Sequence, residues 1–232
     1  MTSTRNPAPE GAASVKKGVL LVDDHPFMRA GLALLVNKQP DLTLAGEAGT
    51  AAEAISIIER SSIDLVLSDI TMPGRGGIEF IKDVQVMRPD LPILVVSMHD
   101  ELLYAERVLR AGARGYIMKE AGGENLLAAI RQVLNGEVYV SPRVSARILE
   151  SVSGRRPRGS TSPIEKLTDR EIEIFEMIGA GKNPRQIASE LNLSTKTVDV
   201  HRANIREKLQ LPDSTALVRH AVHWVETREL PK

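Results

Sequence analysis

The chain has 232 residues, 30 Lys+Arg balanced by 30 Asp+Glu, 42% hydrophobic content and no cysteine, a composition that fits one large or two small globular domains. The missing cysteines exclude disulfides, thiolate metal sites and cysteine nucleophiles, and no apolar run reaches the roughly 18–20 residues of a membrane span. Taken alone, a neutral sum also argues against a strongly basic nucleic-acid binder.

Residues 1–17 are small, polar and Pro-containing, and read as a disordered tail. They lack the apolar core of a signal peptide, so a cytoplasmic protein is expected. From 18 to 140 the pattern alternates. Strand-like runs occur at GVLLVD (18–23), LTLAGEA (42–48), DLVLSD (64–69), PILVVS (92–97) and GYIMK (115–119). Helices are predicted between them: one opened by Pro26 at N1, one opened by a Thr50/Glu53 capping box, and three at about 77–88, 101–111 and 123–135. Five such units with near-continuous apolar strands predict a doubly wound α/β domain with a parallel sheet.

After Ser141 the texture changes. PRVSARILESV (142–152) suits one short helix, and GRRPRGSTSP (154–163) is a linker by composition. From 164 to 232 every element reads as helix. Thr168/Glu171 make a capping box, Asn183-Pro184 opens a second helix, Ser194 caps a third, and Asp213 or Ser214 starts the last. This predicts a small all-α domain.

In an open parallel sheet, functional groups gather at the carboxyl ends of the strands. Those ends supply Asp23 and Asp24, Asp69, Ser97 and Lys119. Three converging carboxylates repel unless a cation lies among them, and oxygen ligands with few carboxylates suit Mg²⁺. Lys119 and the Ser97 hydroxyl then offer a phosphoryl group a charge and a donor. An aspartate so placed can act as nucleophile toward phosphorus. Any one of these residues alone would more simply be a cap or a solvated charge; their joint placement at the ends of four strands favours a site.

VDDH (22–25), SDITMPGRGG (68–77), VVSMHD (95–100) and GYIMKE (115–120) resemble the receiver domain of bacterial two-component response regulators, a flavodoxin-like fold. The resemblance implies Asp69 as phosphoacceptor. It also implies Asp24, Asp23, Asp69 and the Thr71 carbonyl around Mg²⁺, Ser97 and Lys119 on the phosphoryl group, and Tyr116 as the aromatic that changes rotamer. Met98 is bulkier than the residue many receivers carry there, so narrowed access is expected. A phosphohydrolase with an aspartyl nucleophile would need an acid/base Asp two residues after Asp69, where this chain has Thr71.

The helices at 168–179, 183–191 and 194–209, with turns at Gly181 and Asn192-Leu193, have helix-turn-helix spacing. On the third, a wheel at about 100° per residue puts Val198, Ile205 and Leu209 inward, with Lys196, Val200, Ala203 and Glu207 opposite. Ser194, Thr195, Lys196 and Thr197 sit at the helix start, where phosphates bind well. Asp199, His201 and Arg206 border the reading face. Residues 167–211, from LTDRE through GKNPRQIA to TVDVHRANIREKL, resemble the LuxR-type helix-turn-helix of the NarL/FixJ family. Some members have Lys at the positions of Asp199 and Ala203, so a different operator is implied. Asp199 is suited to a cytosine amino group, and Val200 or Ala203 to a thymine methyl.

These resemblances imply a non-enzymatic regulator, capable only of Mg²⁺-dependent self-phosphorylation and dephosphorylation. A sensor histidine kinase phosphorylates it on Asp69, Ser97 and Tyr116 move inward, and an active homodimer binds double-stranded promoter DNA. The competing reading is a phosphorylation-controlled protein-interaction module that does not bind DNA. The neutral sum also divides. Residues 18–140 carry 11 basic against 17 acidic groups, 141–163 carry 5 against 1, and 164–232 carry 11 of each. An acidic switch joined by a basic tether to the reader could therefore screen that reader at rest.

Overall fold

The computed structural model describes residues 16–72, 76–153 and 163–229. Of the predicted tail 1–17, residues 1–15 lie outside the described residues, whereas Lys17 already opens the first strand; Pro73–Arg75 of the SDITMPGRGG motif and linker residues 154–162 also lie outside. Five strands, β1 (Lys17–Val22), β2 (Leu42–Ala48), β3 (Leu65–Ser68), β4 (Ile93–Ser97) and β5 (Gly115–Met118), form one sheet in the order β2-β1-β3-β4-β5. Every pairing is parallel. The order reverses between β1 and β3, placing a switch point beside the ends of both strands.

The sheet has two buried faces, which is why its strands read as continuous apolar runs. Val19 and Leu21 point to one side with Leu65, Leu67, Leu94 and Ile117, under α1 (Pro26–Asn37) and α5 (Gly123–Leu134). Leu20, Val22, Val66, Val95 and Tyr116 point to the other, under α2 (Ala51–Arg60), α3 (Gly77–Met87) and α4 (Glu101–Ala111). The Thr50/Glu53 box forms only in part. Thr50 Oγ1 accepts from the Glu53 amide at 3.3 Å, but the Glu53 carboxylate accepts from Gly49 N at 2.8 Å rather than from the cap residue.

Beyond β5, Tyr139 bridges to Gly115, and α6 (Pro142–Val152), capped by Ser141, packs back on α4. The chain then enters α7 (Asp169–Gly179), α8 (Pro184–Glu190), α9 (Thr195–Lys208) and α10 (Ser214–Glu229). Thr168–Glu171 is a complete capping box, and so is Asn183–Gln186, which the Asn-Pro signal alone had not suggested. Gly181 (φ 80°) and Asn192 (φ 51°) take left-handed backbone at the two predicted turns. Val198 and Ile205 are fully buried and Leu209 partly so, as the helical wheel required. No described helix is long and apolar enough to cross a membrane.

Candidate phosphoacceptor pocket and nucleic-acid interface

β1 and β3 end side by side, with Asp69 N donating to Val22 O at 2.8 Å, and this brings Asp23, Asp24 and Asp69 together. Asp23 and Asp69 are buried; Asp24 is half-buried. Lys119, arriving just past β5 with its side chain 5% exposed, lies 2.7 Å from both Asp23 Oδ2 and Asp69 Oδ2. Burial alone would lower the Lys119 pKa, but its two carboxylate partners outweigh that and hold it above the ordinary lysine value. The other Asp69 oxygen accepts from Ile70 N (2.6 Å) and Thr71 N (3.2 Å). That loop is held by close packing: a Cβ on Gly77 would stand 2.4 Å from Ile70 Cα, so α3 begins directly against the segment after the acceptor.

Ligand atoms of Asp23, Asp24, His25 and Asp69 lie within 4.8 Å of one another. Although His25 Nδ1 is only 2.7 Å from Asp24 Oδ1, the geometry makes no hydrogen bond, so this buried oxygen has no hydrogen-bond partner. Three carboxylates this close together, one of whose buried oxygens makes no hydrogen bond, fit a hard divalent cation. His25 was overlooked in the sequence; its amide donates to Asp23 Oδ1 at 2.8 Å.

Ser97 is fully buried at the end of β4. Met98 is 57% exposed, so most of the side chain expected to narrow access is turned to solvent. Tyr116 is already inward, 1% exposed, with its hydroxyl donating to His99 O at 2.6 Å. Burial, aided by the Asp69 charge, drives its phenol pKa well up and keeps it protonated.

In the helical domain, Ser194 caps α9 by accepting from Thr197 N at 3.0 Å. Thr195, Lys196, Asp199, Val200 and Ala203 are exposed together, while Thr197, His201 and Arg206 are half-buried. Burial lowers the His201 pKa despite the Glu171 charge, so its imidazole is neutral at pH 7.

Residues 19–131 match the response regulator receiver domain model, and residues 165–221 match the luxR family of bacterial regulatory proteins. The chain is 32% identical to the oxygen regulatory protein NreC of Staphylococcus carnosus, covering 88% of this chain and 96% of that one. To the response regulator GacA of Pseudomonas aeruginosa it is 34% identical, over 88% and 94%. This chain is a response regulator of the NarL/FixJ family. Among solved structures, RcsB of Salmonella enterica serovar Typhimurium, bound to promoter P1flhDC in the presence of phosphomimetic BeF3-, aligns with a TM-score of 0.64 at 25% identity, over 90% and 99%.

The two halves of this response regulator meet along α4 and α7. Arg107 donates to Asp169 (2.9 Å) and to the carbonyls of Glu165 (3.1 Å) and Leu167 (3.0 Å). Tyr104 donates to Glu176 at 2.9 Å. None of these residues was singled out in the sequence. The expected screening of the reader is not how the halves are arranged: the reading face of α9 stays exposed.

Within the helical domain, the Glu171 carboxylate is 3% exposed and accepts from Thr168 N at 2.7 Å and Lys208 Nζ at 2.6 Å. Burial alone would raise its pKa, but these bonds prevail and hold it below the ordinary carboxylate range. A depressed carboxyl stabilises above its unfolded pKa and loses that contribution as pH falls through the folded value. Glu171→Gln should therefore cost about 1–2 kcal/mol at pH 7, with the exposure of Lys208 keeping the figure modest. The deficit should shrink as acid protonates the wild-type carboxyl. Urea titrations followed through Trp224, the single tryptophan, at neutral and acidic pH would measure both; an undiminished deficit in acid would contradict the assignment.

Proposed function

We propose that phosphorylation of Asp69 controls promoter binding by this chain. The observation that carries this reading is the Lys119 ammonium shared at 2.7 Å between Asp23 and Asp69, in a cluster where ligand atoms of Asp23, Asp24 and Asp69 lie within 4.8 Å of one another. Asp69 attacks phosphorus of a phosphohistidine donor or a small acyl phosphate. An oxygen–phosphorus bond forms, the bond to the leaving group breaks, and that group departs with the electron pair. Lys119 neutralises the charge that accumulates on the transferred group, and the Ser97 hydroxyl donates to it. Asp23, Asp24 and Asp69, with the Thr71 carbonyl, would hold Mg²⁺, which supplies charge neutralisation at phosphorus.

In this reading residues 18–140 are the phosphoacceptor unit, 141–163 a helix and basic tether, and 164–232 the DNA reader, in a cytoplasmic protein that catalyses no reaction on other molecules. Ser194, Thr195, Lys196 and Thr197 face phosphates, Asp199, Val200 and Ala203 face base edges, and His201 and Arg206 flank them. The DNA-bound RcsB relative supports a duplex as partner, and phosphorylated chains act in pairs on two half-sites. To test this, the protein is incubated with Mg²⁺ and isotopically labelled acetyl phosphate, digested, and the label mapped. Label on the peptide containing Asp69, with increased binding to promoter fragments, is expected. Label elsewhere, or an unchanged affinity for every fragment, would refute the proposal.

A further inference from the structure

His99 was not predicted to do anything, yet all four of its polar groups are engaged. Its amide donates to Ser97 Oγ at 3.2 Å, and its carbonyl accepts from Tyr116 at 2.6 Å. One ring nitrogen, Nε2, lies 2.6 Å from Thr71 Oγ1; the other, Nδ1, lies 3.4 Å from Glu176 Oε2 on α7. That same Glu176 oxygen accepts from Tyr104, whose ring stands 5.0 Å from the imidazole. Thr71 in turn donates its amide to the acceptor carboxylate, Asp69 Oδ1, at 3.2 Å. A short chain of contacts therefore runs from Asp69 through Thr71 and His99 to the helical domain. The network is consistent with a proton on Nδ1 facing Glu176 and with the Thr71 hydroxyl donating to Nε2.

The second observation concerns what docking covers. The receiver side grips α7 and the segment before it through Arg107, Tyr104 and His99. Lys196, Asp199, Val200 and Ala203 on α9 remain exposed, as do Val218, Arg219 and His223 on α10. Docking fixes where the reader points without covering what it reads.

We propose, resting on the function argued above, that His99 is a positioning residue coupling the Asp69 pocket to the α7 dock, and that phosphorylation frees the orientation of α9 rather than its surface. A phosphoryl group on Asp69 that pulls Ser97 or displaces Thr71 must move His99, because both hold it. Moving His99 withdraws one of the partners of Glu176. The coupling is reciprocal: whatever the pocket does to the dock, loosening the dock does to the pocket.

The absence of native cysteine permits clean labelling. Spin labels at Lys38→Cys and Ser189→Cys, both exposed and on opposite halves, report the separation in full-length protein diluted with unlabelled chains. Beryllofluoride with Mg²⁺ should lengthen the distance in the parent protein. In His99→Ala the analogue should still bind, but the lengthening should be lost; His99→Gln, which keeps a donor and an acceptor, should recover part of it. Glu176→Ala should raise the apparent beryllofluoride affinity about five-fold or more, the lower end of ordinary allosteric coupling. Affinity for a single half-site should be unchanged by the analogue, whereas affinity for two half-sites should rise.

A full distance change in His99→Ala, an unaltered affinity in Glu176→Ala, or a gain on the single half-site would overturn the proposal. Failure of the parent protein to bind beryllofluoride at all would overturn the phosphoacceptor reading as well, and this outcome is distinguishable from the other three.

Discussion

Lys119→Met should lower phosphoryl transfer to Asp69 by roughly 100- to 1,000-fold, the usual cost of deleting one preorganised group that stabilises a transition-state charge. Methionine keeps the unbranched shape, so the change is chiefly electrostatic. In the parent protein the Lys119 ammonium lies between two buried carboxylates, 2.7 Å from each. Without it, Asp23 and Asp69 face each other uncompensated. Losing the cation from a buried pair costs about 3–5 kcal/mol, so the variant should melt earlier in chelator. Mg²⁺ should then bind more tightly than in the parent, because the site has gained a net negative charge, and should restore most of the lost stability. Transfer falls while metal affinity rises. A general misfolding of the pocket would reduce both, so calorimetric metal titration beside acetyl phosphate kinetics separates the two explanations. Equal transfer rates in the variant and the parent would exclude Lys119 from the chemistry.

Lys119 was legible from the chain because its position is fixed by a local rule. A short apolar run that gives way to polar residues delivers them to the carboxyl edge of the sheet; Asp23, Ser97 and Lys119 are the first polar residue after their runs, and Asp69 is the second, after Ser68. The α9 stripe was equally legible, since Val198 and Ile205 obey a period that does not depend on distant sequence. His99, Tyr104 and Arg107 obey no such rule. On α4, Tyr104 and Arg107 look like ordinary residues of a helix flank, and their partners Glu176 and Asp169 lie 72 and 62 positions away. They meet only because the chain, after packing α6 across α4, sets α7 against the same helix. The one local signal was the i, i+3 spacing of Tyr104 and Arg107, which places both on one face. The Thr50 box shows the same limit at short range. Its spacing was right, yet the Glu53 carboxylate went to Gly49, because a carboxylate reaching back selects whichever amide the preceding turn presents.

Gly179→Ala should destabilise the helical domain by about 1–3 kcal/mol, toward the upper end, because the obstruction includes backbone. Gly179 closes α7, where a Cβ would lie 2.5 Å from Ala221 O and 2.5 Å from Val225 Cγ2 on α10. Side chains can turn aside, but the Ala221 carbonyl can retreat only if α10 moves as a body. That helix carries Trp224, whose ring meets Phe175 edge-on at 5.5 Å, so the displacement should change tryptophan emission before any unfolding. The same movement shifts the exposed α10 residues Val218, Arg219 and His223 relative to α9. If phosphorylated chains act in pairs through that face, the variant should lose affinity for two half-sites by more than its stability loss predicts, while single half-site binding falls only with the folded fraction. Urea titration followed by tryptophan emission, beside binding to one and to two half-sites, measures each term. Equal proportional losses on both DNAs would show that Gly179 serves packing alone and that α10 does not carry the pairing surface.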